Sequence, residues 1–262
     1  MNGKLFLIIA ALGSAACTRS APPRPAVPEP FTSGEQLLEA MQNRYVGRWY
    51  RTLTFVQETS EFPADAPART STWYEALQLP SLLRIDFGSI DQGNGVLVRG
   101  DTQYVMQRGA VVRQIPRTNE LLLLGFDVYF LEPSVTANWL RRLGFDLSRI
   151  RQDTWQGRAV YVVGATAADD LRSPQFWIDR EHLFFLRLLQ PAGASGRMRD
   201  VRFLNYEPMG RAWIAPVVEM YEDGRLVMKE VYRHMRVGVE LDPALFDPAR
   251  FSTARHWYET RR

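Results

Sequence analysis

The segment from Trp213 to Val237 reads WIAPVVEMYEDGRLVMKEVYRHMRV and carries the strongest structural signal in the chain. The dipeptide Asp223-Gly224 stands between two long runs that are rich in Val, Met and Tyr. Asp-Gly between two strand-like runs is a preferred loop of two-residue β-hairpins. The segment therefore predicts two antiparallel strands joined by a tight turn.

Strand-like patterns of the same kind fill most of the remaining chain. From Trp49 onward apolar side chains alternate, so that Trp49, Leu53 and Phe55 share one face of a predicted strand. Similar runs recur about every ten residues, and Gly, Pro, Asn and Asp separate them. The predicted strands are 49–58, 72–79, 82–87, 95–99, 103–107, 110–115, 159–165, 175–178, 183–189, 200–206, 213–221 and 226–237.

Helical patterns are few. Ser33 followed by Gln36 has the spacing of a capping box, and apolar residues at helical spacing continue to Tyr45. Residues 121–143 are dense in Leu and aromatic side chains and are expected to be helical or irregular. The fold class predicted is mainly β (α+β): a curved, antiparallel, half-open β-barrel of about 11–12 strands with a few covering helices. Because no linker interrupts the pattern, residues 33–262 are expected to form one domain.

The N-terminus has the order of a bacterial secretory signal. One positive charge, Lys4, precedes an apolar run from Leu5 to Leu12, and small residues follow from Gly13 to Ala16. The run is shorter than the roughly 20 residues needed to cross a bilayer. Residues 1–16 are therefore predicted to be a signal peptide; a short membrane anchor or a buried N-terminal helix is the alternative.

Cys17 is the only cysteine and stands where the signal should be cleaved. The stretch Leu12-Gly13-Ser14-Ala15-Ala16-Cys17 resembles a bacterial lipoprotein processing site, although Ser14 occupies a position where Leu is preferred. The resemblance implies a lipoprotein whose Cys17 carries acyl chains such as palmitate. Ordinary signal cleavage after Ala16 is the alternative. Residues 17–32 are rich in proline and would then be an extended tether, or else a disordered tail.

Composition argues against several classes of function. The formal net charge is +3, and the basic residues are spread along the chain rather than gathered into the stripe that nucleic-acid binding requires. The three histidines, His182, His234 and His256, show no metal-ligand spacing, and no nucleophile or phosphate-binding motif is present. We expect no cofactor, no metal, no nucleic-acid partner and no enzymatic activity.

Large apolar residues on the strands are the candidate binding residues. A sheet with one apolar face and few helices can curl around that face and leave a cavity for an apolar ligand. The candidates for this concave wall are Trp49, Leu53, Phe55, Trp73, Leu83, Ile85, Phe87, Phe176 and Ile178. An ordinary packed core is the alternative for each of them. Arg51 is a possible contact for a lipid headgroup, or else a solvated edge residue or a member of a salt bridge.

The order of elements resembles the bacterial lipoprotein-localisation (Lol) carriers and receptors and the broader outer-membrane lipoprotein-sorting-like family. The resemblance rests on Phe55-Val56-Gln57, on Trp155–Val163, on Phe176–Asp179 followed by Leu183–Arg187, and on Pro243–Pro248. It implies a half-open barrel with a helical lid and an apolar cavity that takes the acyl chains of lipids or lipoproteins. The implied role is lipid binding, as a chaperone or receptor in lipoprotein transport.

Two further expectations concern location and partners. Thr18 is not the aspartate that retains many Gram-negative lipoproteins at the inner membrane, so an outer-membrane lipoprotein facing the periplasm is expected. The alternative function is an envelope signalling or scaffold module of the same fold, which binds another envelope protein and fills its core with side chains.

Overall fold

The computed structural model describes residues 31–193 and 196–258. They form a mostly antiparallel β structure, with 44% strand and three helices. The helices are α1 (Gly34–Tyr45), α2 (Glu120–Gly125) and α3 (Pro133–Arg142). The strands are β1 (Thr52–Glu61), β2 (Arg69–Gln78), β3 (Leu82–Phe87), β4 (Gly95–Arg99), β5 (Thr102–Gln107), β6 (Ala110–Pro116), β7 (Ile150–Trp155), β8 (Arg158–Val163), β9 (Gln175–Asp179), β10 (Phe185–Pro191), β11 (Met198–Leu204), β12 (Glu207–Met209), β13 (Ala212–Ile214), β14 (Val217–Glu222) and β15 (Arg225–Val237). The predicted signal peptide and Cys17 lie outside the described residues, as does the tether up to residue 30.

Thirteen strands form one curved sheet that is not closed. The order is β6-β5-β4-β3-β2-β1-β15-β14-β11-β10-β9-β8-β7, and every pairing is antiparallel. Strand β1 pairs with β15 in the middle, and β6 and β7 lie at the two ends. This confirms the predicted mainly β, half-open barrel. Strands β7 and β12 were not predicted. The expected strand 213–221 is divided into β13 and β14, because Pro216 has no N–H group to donate to a neighbouring strand.

The β14–β15 turn has the predicted geometry. Asp223 and Gly224 both have positive φ, of 46° and 79°. Positive φ at both central residues defines the type I′ turn, whose twist matches that of the flanking strands. The Asp223 side chain also accepts a hydrogen bond from the backbone N–H of Met198 at 3.0 Å, which ties the turn to β11.

Helix α1 begins and ends where the sequence predicts. The Ser33 hydroxyl oxygen accepts a hydrogen bond from the backbone N–H of Gln36 at 3.4 Å. The Gln36 side chain accepts the N–H of Thr32 at 2.9 Å, one residue before the usual capping-box partner. At Gly34 the helix lies so close to β8 that an added Cβ would stand 2.8 Å from a Val163 methyl group. Helix α1 therefore covers the β8–β9 part of the concave face.

The C-terminal segment, which we define as residues 239–258, lies on the convex face of β2 to β5. Its side chains Leu241, Leu245 and Phe246 pack on Ala76, and Phe251 packs on Leu97 and Met106. Beneath it lie Arg84 and Asp86, which are 2% and 1% exposed and form two hydrogen bonds of 2.8 Å. The sheet is therefore buried on both faces in this half.

Candidate ligand-binding site

A cavity of about 180 Å³ lies on the concave side of the sheet, beneath α2. Strands from both halves of the sheet line it from one side, and α2 with its flanking residues lines it from the other. The wall consists of Phe55, Trp73, Glu75, Leu77, Leu83, Ile85, Asn119, Leu121, Leu122, Phe126, Phe203, Val218, Met220, Glu230 and Tyr232. The cavity therefore lies between the sheet and α2.

Strand register brings the wall together. Glu75 of β2 stands opposite Phe55 of β1 and Ile85 of β3, so these three side chains form one row across three strands. On the other side of β1, a register shift between Thr54 and Val56 lets Phe55 meet Tyr232 of β15. The two rings stack with their centroids 4.0 Å apart. The centre of the sheet is therefore the aromatic floor of the cavity.

The roof of the cavity is residues 119–129, which we call the lid. Asn119 caps α2, because its side-chain oxygen accepts the N–H groups of Leu121 and Leu122 at 3.1 and 2.9 Å. Leu121, Leu122 and Phe126 supply the apolar side of the lid that faces the cavity. The lid thus contains a helix of six residues, whose position is set by apolar packing in the core and by contacts at the two ends of the lid.

The first end is held by Glu120, which is 3% exposed. Its carboxylate forms an ion pair with Arg199 of β11, accepts a hydrogen bond from Gln190 of β10 at 2.8 Å, and lies 3.5 Å from a guanidinium nitrogen of Arg117. Gln190 and Arg199 lie near strand ends, and Arg117 follows β6. These polar contacts supplement the apolar packing of α2, whose Leu122, Leu123 and Leu124 are buried in the core.

The second end is held by Asp127, which is 4% exposed. Its carboxyl group accepts hydrogen bonds from the backbone N–H and the hydroxyl of Ser81, at 2.9 and 3.1 Å. Burial raises the pKa of Asp127 to about 7, and the two hydrogen bonds from Ser81 offset only part of this effect. The lid is therefore held at this end by a carboxyl group that titrates near neutrality.

Two acidic side chains face the apolar cavity from the sheet. Glu75 and Glu230 are each 7% exposed, and both line the wall. Burial raises the pKa of both, that of Glu230 to about 7, and the nearby Glu230 raises that of Glu75 further. The Tyr232 hydroxyl donates to Glu230 at 3.2 Å. Within the described part of the chain, no cation pairs with either carboxylate.

Four of the predicted wall residues, Phe55, Trp73, Leu83 and Ile85, come together in this cavity. Phe87 lies beside them without lining the wall, with its ring centroid 4.6 Å from that of Trp73. The alternation of apolar residues in β1 to β3 was therefore sufficient to place these side chains on one face.

The other four predicted wall residues do not line this cavity. Trp49 lies in the turn after α1 and stacks on Tyr129 at 3.7 Å, Leu53 is fully buried, and Phe176 packs against Phe145. Ile178, also fully buried, lies in β9 with Phe176. The reason is that α1 and the residues around α3 occupy this part of the concave face.

Arg51 precedes β1 and is exposed. Its guanidinium carbon lies 5.3 Å from the centroid of the Phe130 ring, immediately after the lid. This is a cation–π contact at the surface. Arg51 does not line the cavity.

Sequence reasoning missed the polar residues that distinguish the site. Glu75 stands between Trp73 and Leu77 on the apolar face of β2, and Glu230 stands between Met228 and Tyr232 in β15. An acidic residue between two large apolar residues on the same strand face is the pattern that could have identified Glu75 and Glu230. Glu120 and Asp127 gave no such signal, because their partners are distant in sequence.

The lid also separates the cavity from a second space. A cleft of about 300 Å³ lies on the outer side of the lid, beside α3, and Asn119 and Leu122 line both spaces. Small-molecule sites commonly measure about 300–1,000 Å³. Displacement of the lid would join the two spaces and bring the total into that range.

Two classes of feature are absent from the described residues. Across 31–193 and 196–258, no three His, Cys, Asp or Glu side chains converge to hold a metal ion. In the same part of the chain, no helix has the length and apolar character needed to span a bilayer.

Solved structures share this architecture. A DUF1329 family protein from Desulfovibrio piger ATCC 29098 superposes with a TM-score of 0.54 at 14% identity, covering 82% of this chain and 95% of that one. A LolA superfamily protein from Nitrosomonas europaea superposes with a TM-score of 0.51 at 11% identity, and the match covers 82% of this chain and 97% of that one. A Vibrio parahaemolyticus domain, provisionally described as an outer membrane lipoprotein-sorting protein, superposes with a TM-score of 0.51 at 13% identity, and the match covers 84% of this chain and 98% of that one.

No protein-family model and no curated protein sequence matches the chain. The likeness is therefore one of fold, and it extends over nearly the whole length of each of the three structures. It agrees with the open antiparallel barrel described above. The chain has the Lol-like fold of the LolA superfamily and outer-membrane lipoprotein-sorting domains.

Proposed function

We propose that this protein binds acyl chains of lipids or lipoproteins in the cavity beneath the lid, without catalysis, on the periplasmic side of a bacterial envelope. The observation that carries the proposal is the cavity itself, an aromatic and aliphatic space on the concave face of a Lol-like sheet. Apolar surface removed from water contributes about 25 cal/mol per Å², so a hydrocarbon chain binds there without a charged anchor. The wall contains no His, Cys or Ser among its fifteen described residues.

Binding of a long chain requires the lid to move. The volume of about 180 Å³ is smaller than common ligand sites, whereas the outer cleft adds about 300 Å³ once Asn119 and Leu122 are displaced. Such movement must break the polar contacts of Glu120 and Asp127 and also the apolar packing of α2 in the core. The proposed cycle is lid release, entry of the chain along the aromatic floor, and closure over it.

The test is lipid extraction and native mass spectrometry of the protein purified from membranes, followed by titration with a fluorescent fatty acid. Replacement of Ile85 by Asn places a polar group in the wall and should weaken binding at least tenfold. Val96→Asn is the matched control, because Val96 stands opposite Ile85 on β4 but does not line the cavity. Equal binding by the two folded variants, or a protein that binds no lipid, would contradict the proposal.

The proposal includes a membrane anchor at Cys17, with residues 17–32 as the tether to the domain. The lipoprotein-like sequence before Cys17 and the absence of Asp at position 18 support attachment to the outer membrane. Mass spectrometry of the mature N-terminus is the measurement. A Cys17 terminus without added lipid, or cleavage at another residue, would overturn the anchor but not the cavity.

A second candidate is a signalling or scaffold module that binds another envelope protein. The observation that favours it is the end strand β6, where Val111 and Val112 are 43% and 54% exposed. Such an edge can accept an added strand from a partner. A lipid-free protein that captures an envelope protein through β6, and loses it on Val112→Pro substitution, would favour this candidate.

A further inference from the structure

Glu75 and Glu230 differ from the buried ion pairs of this protein. Arg84 pairs with Asp86 and Arg187 pairs with Asp200, each through two hydrogen bonds of 2.8 Å. Glu75 and Glu230 are as deeply buried, but the fifteen described wall residues include no cation to pair with them. A buried carboxylate without a cation is costly, so this arrangement is not explained by stability.

A third polar side chain lies on the same face of the sheet. Gln57 is fully buried between Trp73 of β2 and Tyr232 of β15, and its side-chain oxygen has no hydrogen-bond partner. Its amide nitrogen donates to the Thr59 hydroxyl at 2.8 Å, and a hydrogen bond from its side chain favours the ionised form of Glu230. Gln57 does not line the cavity, so Glu75 and Glu230 are the acidic groups that face the ligand space.

We propose that Glu75 and Glu230 form an ammonium-binding site within the cavity, and that the preferred ligand is a cationic amphiphile carrying a primary amine. This inference rests on the proposed function, because the hydrocarbon part of the ligand must occupy the apolar wall. A primary ammonium group has three N–H donors, and the two carboxyl groups provide acceptors for them. The stacked rings of Phe55 and Tyr232 add faces that attract a cation.

A divalent metal ion fits the same groups poorly. Calcium takes six to eight oxygen ligands and magnesium requires an octahedral shell. Only two carboxylates converge here, and Asn119 already uses its oxygen to cap α2. An organic cation therefore suits this site better than a metal ion.

The test compares ligands that share one hydrocarbon chain. Calorimetric titration of the full mature protein with dodecylamine and with 1-dodecanol should give at least tenfold tighter binding of the amine. Glu75→Gln and Glu230→Gln should each reduce this ratio, and the double variant should bring it close to one without weakening dodecanol binding. Glu58→Gln is the control, because Glu58 lies on the exposed side of β1.

The outcomes separate this inference from the proposed function. Equal binding of amine and alcohol by the unaltered protein, or a preference that survives the double substitution, would overturn the ammonium site alone. Failure to bind either ligand would overturn both. Thermal unfolding of the variants checks that they fold. The comparison of amine and alcohol binding by the unaltered protein does not depend on the variants.

An ammonium group beside acyl chains occurs in two sources, an aminophospholipid and a diacylated lipopeptide with a free α-amino group. Phosphatidylethanolamine vesicles and a diacylated cysteinyl peptide, each compared with its N-acetylated form, distinguish them. The physiological source should lose at least tenfold in affinity on acetylation. Indifference to acetylation in both pairs would overturn the assignment.

Discussion

The Asp127 carboxyl group accepts both the backbone N–H and the hydroxyl of Ser81, at 2.9 and 3.1 Å, and so joins the end of the lid to the turn before β3. Desolvation raises the pKa of this group from 3.8 to about 7 in the folded protein. Burial likewise raises the pKa of Glu230 from 4.5 to about 7, and it raises the pKa of Glu75 as well. In the native state these groups therefore retain their protons to a higher pH than they do in the unfolded chain.

The first prediction is that stability falls as pH rises from about 4 to 7. A raised folded-state pKa means that the native state binds more protons than the unfolded state in this window, so each group stabilises fully below its unfolded pKa and loses that contribution as pH passes its folded pKa. For Asp127 the loss should be about 1–4 kcal/mol. Urea unfolding at several pH values measures it, and Asp127→Asn should flatten the profile. An unchanged profile in the variant would contradict the assignment.

The second prediction concerns the other end of the lid. Glu120→Ala removes the ion pair with Arg199 and the hydrogen bond from Gln190, so residues 121–126 should exchange their amide hydrogens faster and hydrophobic probes should bind faster. Hydrogen-exchange mass spectrometry and stopped-flow fluorescence are the measurements. Glu35→Ala is the control, because Glu35 pairs with Arg141 at an exposed site away from the lid. The same exchange rates in both variants would show that Glu120 does not hold the lid.

The third prediction concerns the aromatic floor. Phe55 is 1% exposed and stacks on Tyr232, so Phe55→Ala should destabilise the protein by about 3–5 kcal/mol. Phe87→Ala is a useful comparison, since Phe87 is only half-buried and its loss should cost less. Denaturant midpoints at constant m-value measure the difference. Similar effects of the two substitutions would mean that Phe55 is less well packed than its contacts indicate.

The fourth prediction concerns the buried pair beneath the C-terminal segment. Arg84 donates to Asp86 and to the carbonyl oxygens of Leu245 and Phe251, and His256 lies 3.0 Å from Asp86. Asp86→Ala leaves Arg84 buried without its carboxylate and should cost about 3–5 kcal/mol. The double change Arg84→Met and Asp86→Leu should recover most of that loss. An additive double-mutant cycle would show that the two charges are not coupled.

The sequence predicts the fold where local chemistry decides it. Asp223-Gly224 requires positive φ, Ser33 provides a capping oxygen, and β3 and β4 have the expected bounds. Strand β7 was missed because Ile150–Trp155 carries its apolar residues only at the two ends and has Arg and Asp between them. A strand at the end of a sheet can remain this polar, and periodicity then gives no signal.

The site was predictable only in part. Ile85 and Phe176 have similar patterns in sequence, yet one lines the cavity and the other is covered, because α1 packs over β8 and β9 rather than over β3. The position of α1 depends on contacts between residues that are distant in the chain, such as Gly34 and Val163. The lid contacts of Glu120 and Asp127 are distant for the same reason. Alternation identifies a face of a sheet, and tertiary packing decides what occupies it.

The pairing of β1 with β15 sets the order in which this chain completes its folding. Leu53 stands opposite Val237, so the central ladder joins the first strand to the last of the sheet. A chain delivered with its N-terminus first holds β1 as an unpaired edge until β15 arrives, and such edges recruit other chains. Pairing between such remote segments also slows folding. Folding of this chain therefore requires protection of β1 during the interval between the emergence of its first and last strands.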